Sequence, residues 1–261
     1  EGSFALQGVD LAVPAGQTLA LVGRTGSGKT TLASMVSRAV EPPAGSLLVG
    51  GADARSLDLA ELREAVGTVT QRTEVLAGTL EENITLFADL PREQVEDVVA
   101  ELGLQDWVAG LPDGVSTRLG PGGVTLSAGE EQLLAFARLL ARDVRIVVLD
   151  EATARMDPLT ESRVVRASER LLSGRTGVLV AHRLSTIERA DLVAVLDAGQ
   201  VAQFGTHAEL SRTPGRFADL LTAAGRHEPA AATPAATPVT TPDAPGIGTA
   251  RRMGEAPPDR S

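Results

Sequence analysis

The fold is decided by the stretch Gly23-Arg24-Thr25-Gly26-Ser27-Gly28-Lys29-Thr30. It follows an apolar, strand-like run at 19–22 and leads into a helical pattern that continues to about Val40. Strand, glycine-rich turn and helix, in this order, are what the pattern G-x-x-x-x-G-K-S/T requires of a phosphate-binding loop. Glycines let backbone N–H groups approach phosphate oxygens closely, and the helix N-terminus adds partial positive charge. The stretch therefore predicts a loop that binds a nucleotide.

The residues of this loop have distinct predicted roles. Lys29 is the only lysine in the chain, and a compact ammonium suits a place among phosphates better than a planar guanidinium does. We expect Lys29 to reach the β- and γ-phosphates and the Thr30 hydroxyl to hold Mg²⁺. The predicted phosphate-binding residues are Gly23, Arg24, Thr25, Gly26, Ser27, Gly28, Lys29, Thr30 and Thr31.

Composition narrows the class of protein. The 261 residues are 43% hydrophobic, which is ample for a core, and a net charge of −10 argues against a nucleic-acid-binding surface. The absence of cysteine excludes disulfides and thiolate metal sites. No apolar run is long enough to span a membrane. The chain starts with neither Met nor a signal pattern, so we expect a piece cut from a longer chain.

The apolar pattern predicts an α/β domain. Strands are expected in the opening stretch from Leu6 to Val13, and again at 19–22, 46–49, 66–70, 146–149, 178–181 and 192–196. Between about 76 and 142 the pattern is helical, with breaks at Pro91, at 111–114 and at 120–123. Strands that alternate with helices predict a mostly parallel sheet carrying a helical insertion.

The composition changes after Gly225. Seven of the fifteen prolines fall in residues 226–261, among Ala and Thr, and this segment has too little apolar bulk for a core. We therefore expect one domain over residues 1–225 and a disordered tail over 226–261.

Polar residues that could take part in catalysis follow three of the predicted strands. Asp150 and Glu151 end the apolar run at 146–149; beside a phosphate loop, Asp150 would bind Mg²⁺ and Glu151 would orient or deprotonate the attacking water. His182 follows 178–181 and Gln71 follows 67–70. On pattern alone, His182 could be structural and Gln71 could cap the next element.

The phosphate loop, these polar residues and their order along the chain resemble those of the nucleotide-binding domain of an exporter-type ATP-binding cassette (ABC) transporter. The resemblance covers about residues 6–221. The loop at 23–30 is similar to that family's Walker A and 147–151 to its Walker B with the following glutamate. Its signature, usually L-S-G-G-Q, is similar to Leu126, Ser127, Ala128, Gly129 and Glu130. The D-loop corresponds to 154–157 with Asp157, the Q-loop to 69–71, the exporter X-loop to 111–123 and the switch-histidine region to 181–186.

The resemblance implies a P-loop NTPase fold with a RecA-like parallel core, a small antiparallel β subdomain and a helical signature subdomain at about 76–142. It implies ATP and Mg²⁺ as ligands, with metal contacts from Thr30, Gln71 and Asp150. Glu151, His182 and Gln71 would be catalytic. Two such domains would close head to tail on ATP, so that Ser127 and Gly129 contact a γ-phosphate bound to the partner.

The implied partners are a second nucleotide-binding domain and a transmembrane domain fused upstream, at the cytoplasmic face of the cell membrane. The family's adenine-stacking aromatic would precede residue 1, and Phe4 is a poor substitute. In the signature, Ala128 adds a methyl, and Glu130 places a carboxylate where phosphate would repel it. An asymmetric pair with a different second chain and a homodimer that tolerates this signature both stay open.

The sequence opposes three other functions. A soluble ABC ATPase acting on nucleic acid or ribosomes is opposed by the acidic balance and the exporter-like X-loop. A GTPase is excluded because its N-K-x-D motif needs a second lysine. A regulator that binds ATP without hydrolysing it is opposed by Glu151, and turnover would decide.

Overall fold

The computed structural model of the protein describes residues 6–70, 73–150, 156–181 and 184–225. Its strands are β1 (Thr18–Gly23), β2 (Leu48–Val49), β3 (Ala52–Asp53), β4 (Val66–Val69), β5 (Gly78–Thr79), β6 (Arg118–Leu119), β7 (Ile146–Asp150), β8 (Thr176–Val180), β9 (Leu192–Asp197) and β10 (Gln200–Gly205). Its α-helices are α1 (Lys29–Val36), α2 (Leu59–Ala65), α3 (Leu80–Thr85), α4 (Arg92–Glu101), α5 (Gln105–Ala109), α6 (Ala128–Ala141), α7 (Pro158–Leu172), α8 (Leu184–Arg189), α9 (His207–Arg212) and α10 (Arg216–Gly225).

The central sheet has the strand order β10-β9-β1-β8-β7-β4. Every neighbouring pair is parallel except β10, which runs antiparallel to β9 at one edge. The middle residues of β1, β7, β8 and β9 are buried, as expected for strands covered on both faces. This confirms the predicted α/β fold with a mostly parallel sheet.

The register of the sheet places four exits from strands along one edge. Gly23 of β1 pairs with Leu196, Val69 of β4 with Leu149, and Asp150 of β7 with Val180 of β8. In open α/β sheets, ligands bind outside the carboxyl ends of the strands. The phosphate loop and the segments after β4, β7 and β8 therefore leave the sheet at the edge where a site is expected.

Helices α3 to α6 form the predicted insertion, and their core is continuous with residues of the central sheet. Helix α6 is its centre, since nine of its residues are buried, among them Leu133, Leu134 and Phe136. It packs with α3, α4 and α5 in one cluster that also contains Trp107 and reaches Val147 of the central sheet. The small β5–β6 pair lies within this insertion. None of the described helices is long and apolar enough to cross a membrane.

Two predictions of local structure need correction. Residues 6–13 form no strand: Leu6, Leu11 and Val13 alternate because they pack against the core, and the Gln7 N–H donates to the Gly199 carbonyl at 2.9 Å. Helix α1 ends at Val36 instead of Val40, because Arg38 adopts a left-handed conformation with φ of 53°. The predicted antiparallel structure is present in the described residues as the short β2–β3 pair and as β10 on β9.

Candidate functional site

The phosphate loop joins β1 to α1 through glycines in conformations that other residues avoid. Gly23, Gly26 and Gly28 have φ angles of 146°, 80° and 104°. Gly23 also needs its lack of a side chain, since a Cβ there would collide with the backbone carbonyl oxygen of Leu196, whereas at Gly28 the near atom is the end of the Leu6 side chain. The positions where the loop pattern demands glycine are thus those where the backbone is bent and crowded.

Lys29 turns its side chain back into the loop. Its Nζ donates to the carbonyl oxygens of Gly23 at 2.9 Å and Arg24 at 3.1 Å, and the residue is 5% exposed. Burial lowers the pKa of Lys29, and the negative charge of Asp150 partly opposes that shift. The ammonium is therefore held inside the loop, within electrostatic reach of the acid that ends β7.

The loop also contains polar groups suited to an anion. The Ser27 hydroxyl is buried, and it has no hydrogen-bond partner in the part of the chain that the structure describes. Among those residues no side chain caps the N-terminus of α1, which starts at Lys29. A buried hydroxyl without a partner calls for an explanation, and phosphate oxygens at this helix N-terminus supply one. The residues present therefore fit the phosphates of a nucleotide.

The expected Mg²⁺ ligands fit in part. Thr30 is exposed at the start of α1, and Asp150 is half-buried at the end of β7. Within the described ranges no group of three or more His, Asp or Glu side chains converges to hold a metal. A cation there would need further oxygens, which is consistent with Mg²⁺ bound through phosphates and a few protein groups.

The three expected catalytic residues lie outside the described residues. Gln71 comes two positions after β4, Glu151 one after β7 and His182 two after β8. The structure describes neither their positions nor those of Ala154 and Arg155 of the D-loop. Their assignments remain predictions, supported by the strands that precede them.

The signature residues form the N-terminus of α6. Ser127 is the exposed N-cap, Ala128 is the exposed first residue of the helix, and Leu126 is buried. Gly129 is buried against the neighbouring helix: a Cβ there would collide with Thr160 Cγ2. The structure thus gives Gly129 a packing role within its own chain.

Glu130 is turned toward its own helix end and its neighbours. Its Oε2 accepts hydrogen bonds from the Ser127 N–H and hydroxyl, each at 2.8 Å, and its Oε1 accepts one from Trp107 Nε1 at 3.0 Å. Burial would raise the pKa of Glu130, but these hydrogen bonds outweigh it and the net pKa is lowered. Trp107 is 4% exposed, so it packs in the helical cluster and also holds this carboxylate.

Asp157 caps α7 at the end of the D-loop segment. Its Oδ1 accepts from the backbone N–H groups of Leu159 and Thr160 at 3.1 and 3.0 Å. Hydrogen bonds from Thr160 lower the pKa of Asp157. Its carboxylate is thus engaged in a local cap.

Arg138 is a contact that sequence reasoning did not assign. From α6, its guanidinium donates to the carbonyls of Asn83 and Glu74, each at 2.8 Å, and to Asn83 Oδ1 at 3.0 Å. Asn83 is fully buried and also bonds the backbone of Leu76. The sequence signal that could have identified this contact is a charged residue, Arg138, within the apolar run of α6.

Comparison with known proteins identifies the family. The family model described as ABC transporter matches residues 6–154, more than half of the chain. The chain belongs to the ABC transporter family. This confirms the P-loop NTPase class and implies that the site described above binds ATP.

Relatives of this ABC transporter chain include a flippase, a channel ATP-binding subunit and a transporter. It is 42% identical over 219 residues to an ATP-dependent lipid A-core flippase of Chromobacterium violaceum, covering 84% of this chain and 38% of the relative. It is 41% identical over 222 residues to a mitochondrial potassium channel ATP-binding subunit of Xenopus tropicalis, covering 84% of this chain and 32% of the relative. It is also 41% identical over 219 residues to the ABC-type transporter MDR1 of Aureobasidium melanogenum, covering 83% of this chain and 16% of the relative.

A solved structure agrees with these relatives. A bacterial Atm1-family ABC exporter with ATP bound matches with a TM-score of 0.72 and 36% identity, covering 81% of this chain and 37% of that chain. The chain spans about a third of the length of the first two relatives.

Proposed function

We propose that this ABC transporter chain binds and hydrolyses ATP and drives export of a substrate across a membrane by closing on a second nucleotide-binding domain. The phosphate loop carries the proposal, because it combines the inward Lys29 ammonium with the partnerless Ser27 hydroxyl. The likeness to an exporter with ATP bound supports it. The relatives do not favour a soluble ATPase acting on nucleic acid.

Within this proposal, Thr30, Asp150 and Gln71 would hold Mg²⁺. When bound, Mg²⁺ would neutralise negative charge on the phosphates. Lys29 moves from the loop carbonyls to the phosphate oxygens. Glu151 orients or deprotonates the attacking water, and His182 holds the γ-phosphate.

The second domain supplies the other half of each site. Ser127 is exposed at the start of α6, where the helix dipole favours an anion, so it can reach a γ-phosphate on a facing domain. Gly129 supports this geometry from behind by allowing close packing. ATP closes the pair and hydrolysis reopens it.

We assign the contact with a transmembrane domain to Leu86 and Phe87. These neighbours follow α3, are 44% and 55% exposed, and have φ angles of 52° and 63°. Adjacent large apolar side chains held outward on a strained backbone suit a buried contact. The domain would then work at the cytoplasmic face of the membrane.

The test combines nucleotide binding with the mass of the particle. Glu151→Gln should bind Mg-ATP and hold it, and light scattering should show association that depends on Mg-ATP. The double variant Lys29→Ala/Glu151→Gln should bind ATP about a hundredfold more weakly or worse, and it should not associate. ATP turnover by the wild type, absent in Glu151→Gln, separates an ATPase from a regulator.

Two results would contradict the proposal. Unchanged ATP affinity in the Lys29→Ala background would remove the phosphate loop from the site. Turnover that persists in Glu151→Gln would remove the assigned base. ATP binding without association would leave the ATPase role intact and direct the search to a different second chain.

A further inference from the structure

The signature of this chain contains a competition for one proton. The Ser127 hydroxyl is 2.8 Å from Glu130 Oε2, and its oxygen accepts from the Glu130 N–H at 3.4 Å. A serine hydroxyl has one proton to donate, and an ionised carboxylate can only accept. The proton of Ser127 is therefore committed to Glu130.

A phosphate oxygen would need the same proton. Like the carboxylate, the γ-phosphate of ATP offers acceptors, so Ser127 cannot donate to both at once. We infer that Glu130 acts as a built-in restraint on the signature: it holds the Ser127 hydroxyl proton and must release it before a facing domain's ATP can be engaged. This inference rests on the proposed function, in which Ser127 acts on the nucleotide of a second domain.

Trp107 keeps the restraint in place. Its indole N–H, buried in the helical cluster, donates to Glu130 Oε1 while Ser127 donates to Oε2. The carboxylate thus lies between donors on both sides, and an acceptor-only group satisfies both of them. A glutamine would turn an NH₂ group toward one of the donors. Trp107 and Glu130 are therefore a matched pair, and Glu130 is a positioning residue that acts through Ser127.

The consequence is a higher ATP requirement for closure. Engagement of the facing nucleotide exchanges one charge-assisted hydrogen bond of Ser127 for another, instead of adding a new one. Removing the competitor should lower the Mg-ATP concentration for half-maximal association about tenfold, the value of one ordinary hydrogen bond.

The test compares variants in the background Trp107→Phe, because an apolar side chain at position 130 would otherwise leave the indole N–H without an acceptor. Analytical ultracentrifugation of the 261-residue chain, with Glu151→Gln throughout, gives the Mg-ATP concentration for half-association of the chain with a second copy. Adding Glu130→Met, which has no oxygen to accept the Ser127 proton, should lower this concentration about tenfold. Adding Glu131→Met, on the same first turn of α6, removes an equal charge and should change it less than about twofold.

Two further readouts separate positioning from folding. A fluorescent ATP analogue, at protein concentrations below association, should show the same affinity for all variants, and their unfolding temperatures should confirm folded chains. Ser127→Ala should weaken association, and Glu130→Met should give no gain when Ser127→Ala is present, because its effect passes through that hydroxyl.

Each contrary outcome has one meaning. No gain from Glu130→Met, an equal gain from Glu131→Met, or a gain that survives Ser127→Ala would overturn the restraint and leave the proposed function standing. Association that Ser127→Ala does not weaken would overturn the role of the signature itself. Absence of association in every variant would overturn both for a pair of identical chains.

Discussion

Gly129 allows α6 to pack closely on α7 because it has a hydrogen atom where alanine has a methyl group. A Cβ at Gly129 would collide with Thr160 of α7 and would lie 3.2 Å from Met156 Sδ. Its exposed neighbour Ala128 precedes it on α6 without such crowding. The two signature positions thus differ in their packing, because only Gly129 lies where α6 approaches α7.

We predict that Gly129→Ala lowers the free energy of unfolding by about 1–3 kcal/mol, because Thr160 and Met156 must move to make room. Ala128→Gly is the matched control, and it should cost no more than about 1 kcal/mol as a change of helix propensity. Denaturant unfolding of both variants measures the difference. Equal losses would show that α6 and α7 can adjust at Gly129 without cost.

At this scale the sequence supports predictions for residues in local patterns and none for contacts between helices. Roles could be predicted for Lys29 and Asp150 because each belongs to a local pattern with a known chemical purpose. The bond from Trp107 to Glu130 joins residues 23 positions apart on different helices, so it depends on how those helices pack. The sequence-based expectation for Glu130, repulsion of phosphate, considered its charge without the donors that surround it.

Among the elements, α6 connects the signature to the segment that follows β4. Arg138 reaches from this helix to the carbonyls of Glu74 and Asn83 and to the Asn83 side chain. Burial lowers the pKa of Arg138, and the charge of Glu74 partly opposes the shift. A displacement of the segment 74–83 would therefore strain or break the hydrogen bonds that Arg138 of α6 makes with it.

We predict that Arg138→Ala lowers the free energy of unfolding by about 2–4 kcal/mol, because buried acceptors lose a charged donor. Arg92→Ala, which breaks the exposed i,i+4 ion pair with Glu96, should cost less than about 1 kcal/mol. Chemical denaturation of each variant gives the values. If Arg138→Ala lowers the free energy of unfolding no more than Arg92→Ala does, the contacts of Arg138 contribute no more to stability than an exposed ion pair.

Elements were predictable where the pattern is strong. The buried strands β1, β7, β8 and β9 read as apolar runs, and the helices of the insertion read as one long helical region. The opening stretch from Leu6 was misread, since alternation reports which side chains face a core, whereas a strand also needs a partner backbone. No property of a single segment reveals that partner.

For the whole molecule, the site depends on a sheet that collects distant segments at one edge. The loop after β1 and the exits of β4, β7 and β8 come together because the strands are parallel and in register. The sequence predicts such an edge from its alternating strands and helices. It does not reveal strand order, which depends on crossovers between elements far apart in the chain.

The boundary near Gly225 gives a prediction for the whole chain. We expect removal of residues 226–261 to change the free energy of unfolding by less than about 0.5 kcal/mol, because this proline-rich segment offers little apolar surface to bury. Phe217→Ala in α10 is the contrasting variant. Its side chain is fully buried against the central sheet, so its loss should cost about 3–5 kcal/mol.

Calorimetry of the shortened chain, the Phe217→Ala variant and the wild type tests both values, with Mg-ATP binding as a second readout. Unchanged binding and stability in the shortened chain would place the end of the folding unit within or just after α10. A loss comparable to that of Phe217→Ala would instead mean that residues 226–261 belong to the domain, and the compositional boundary would be wrong. The two outcomes differ by several kcal/mol, well above the error of such measurements.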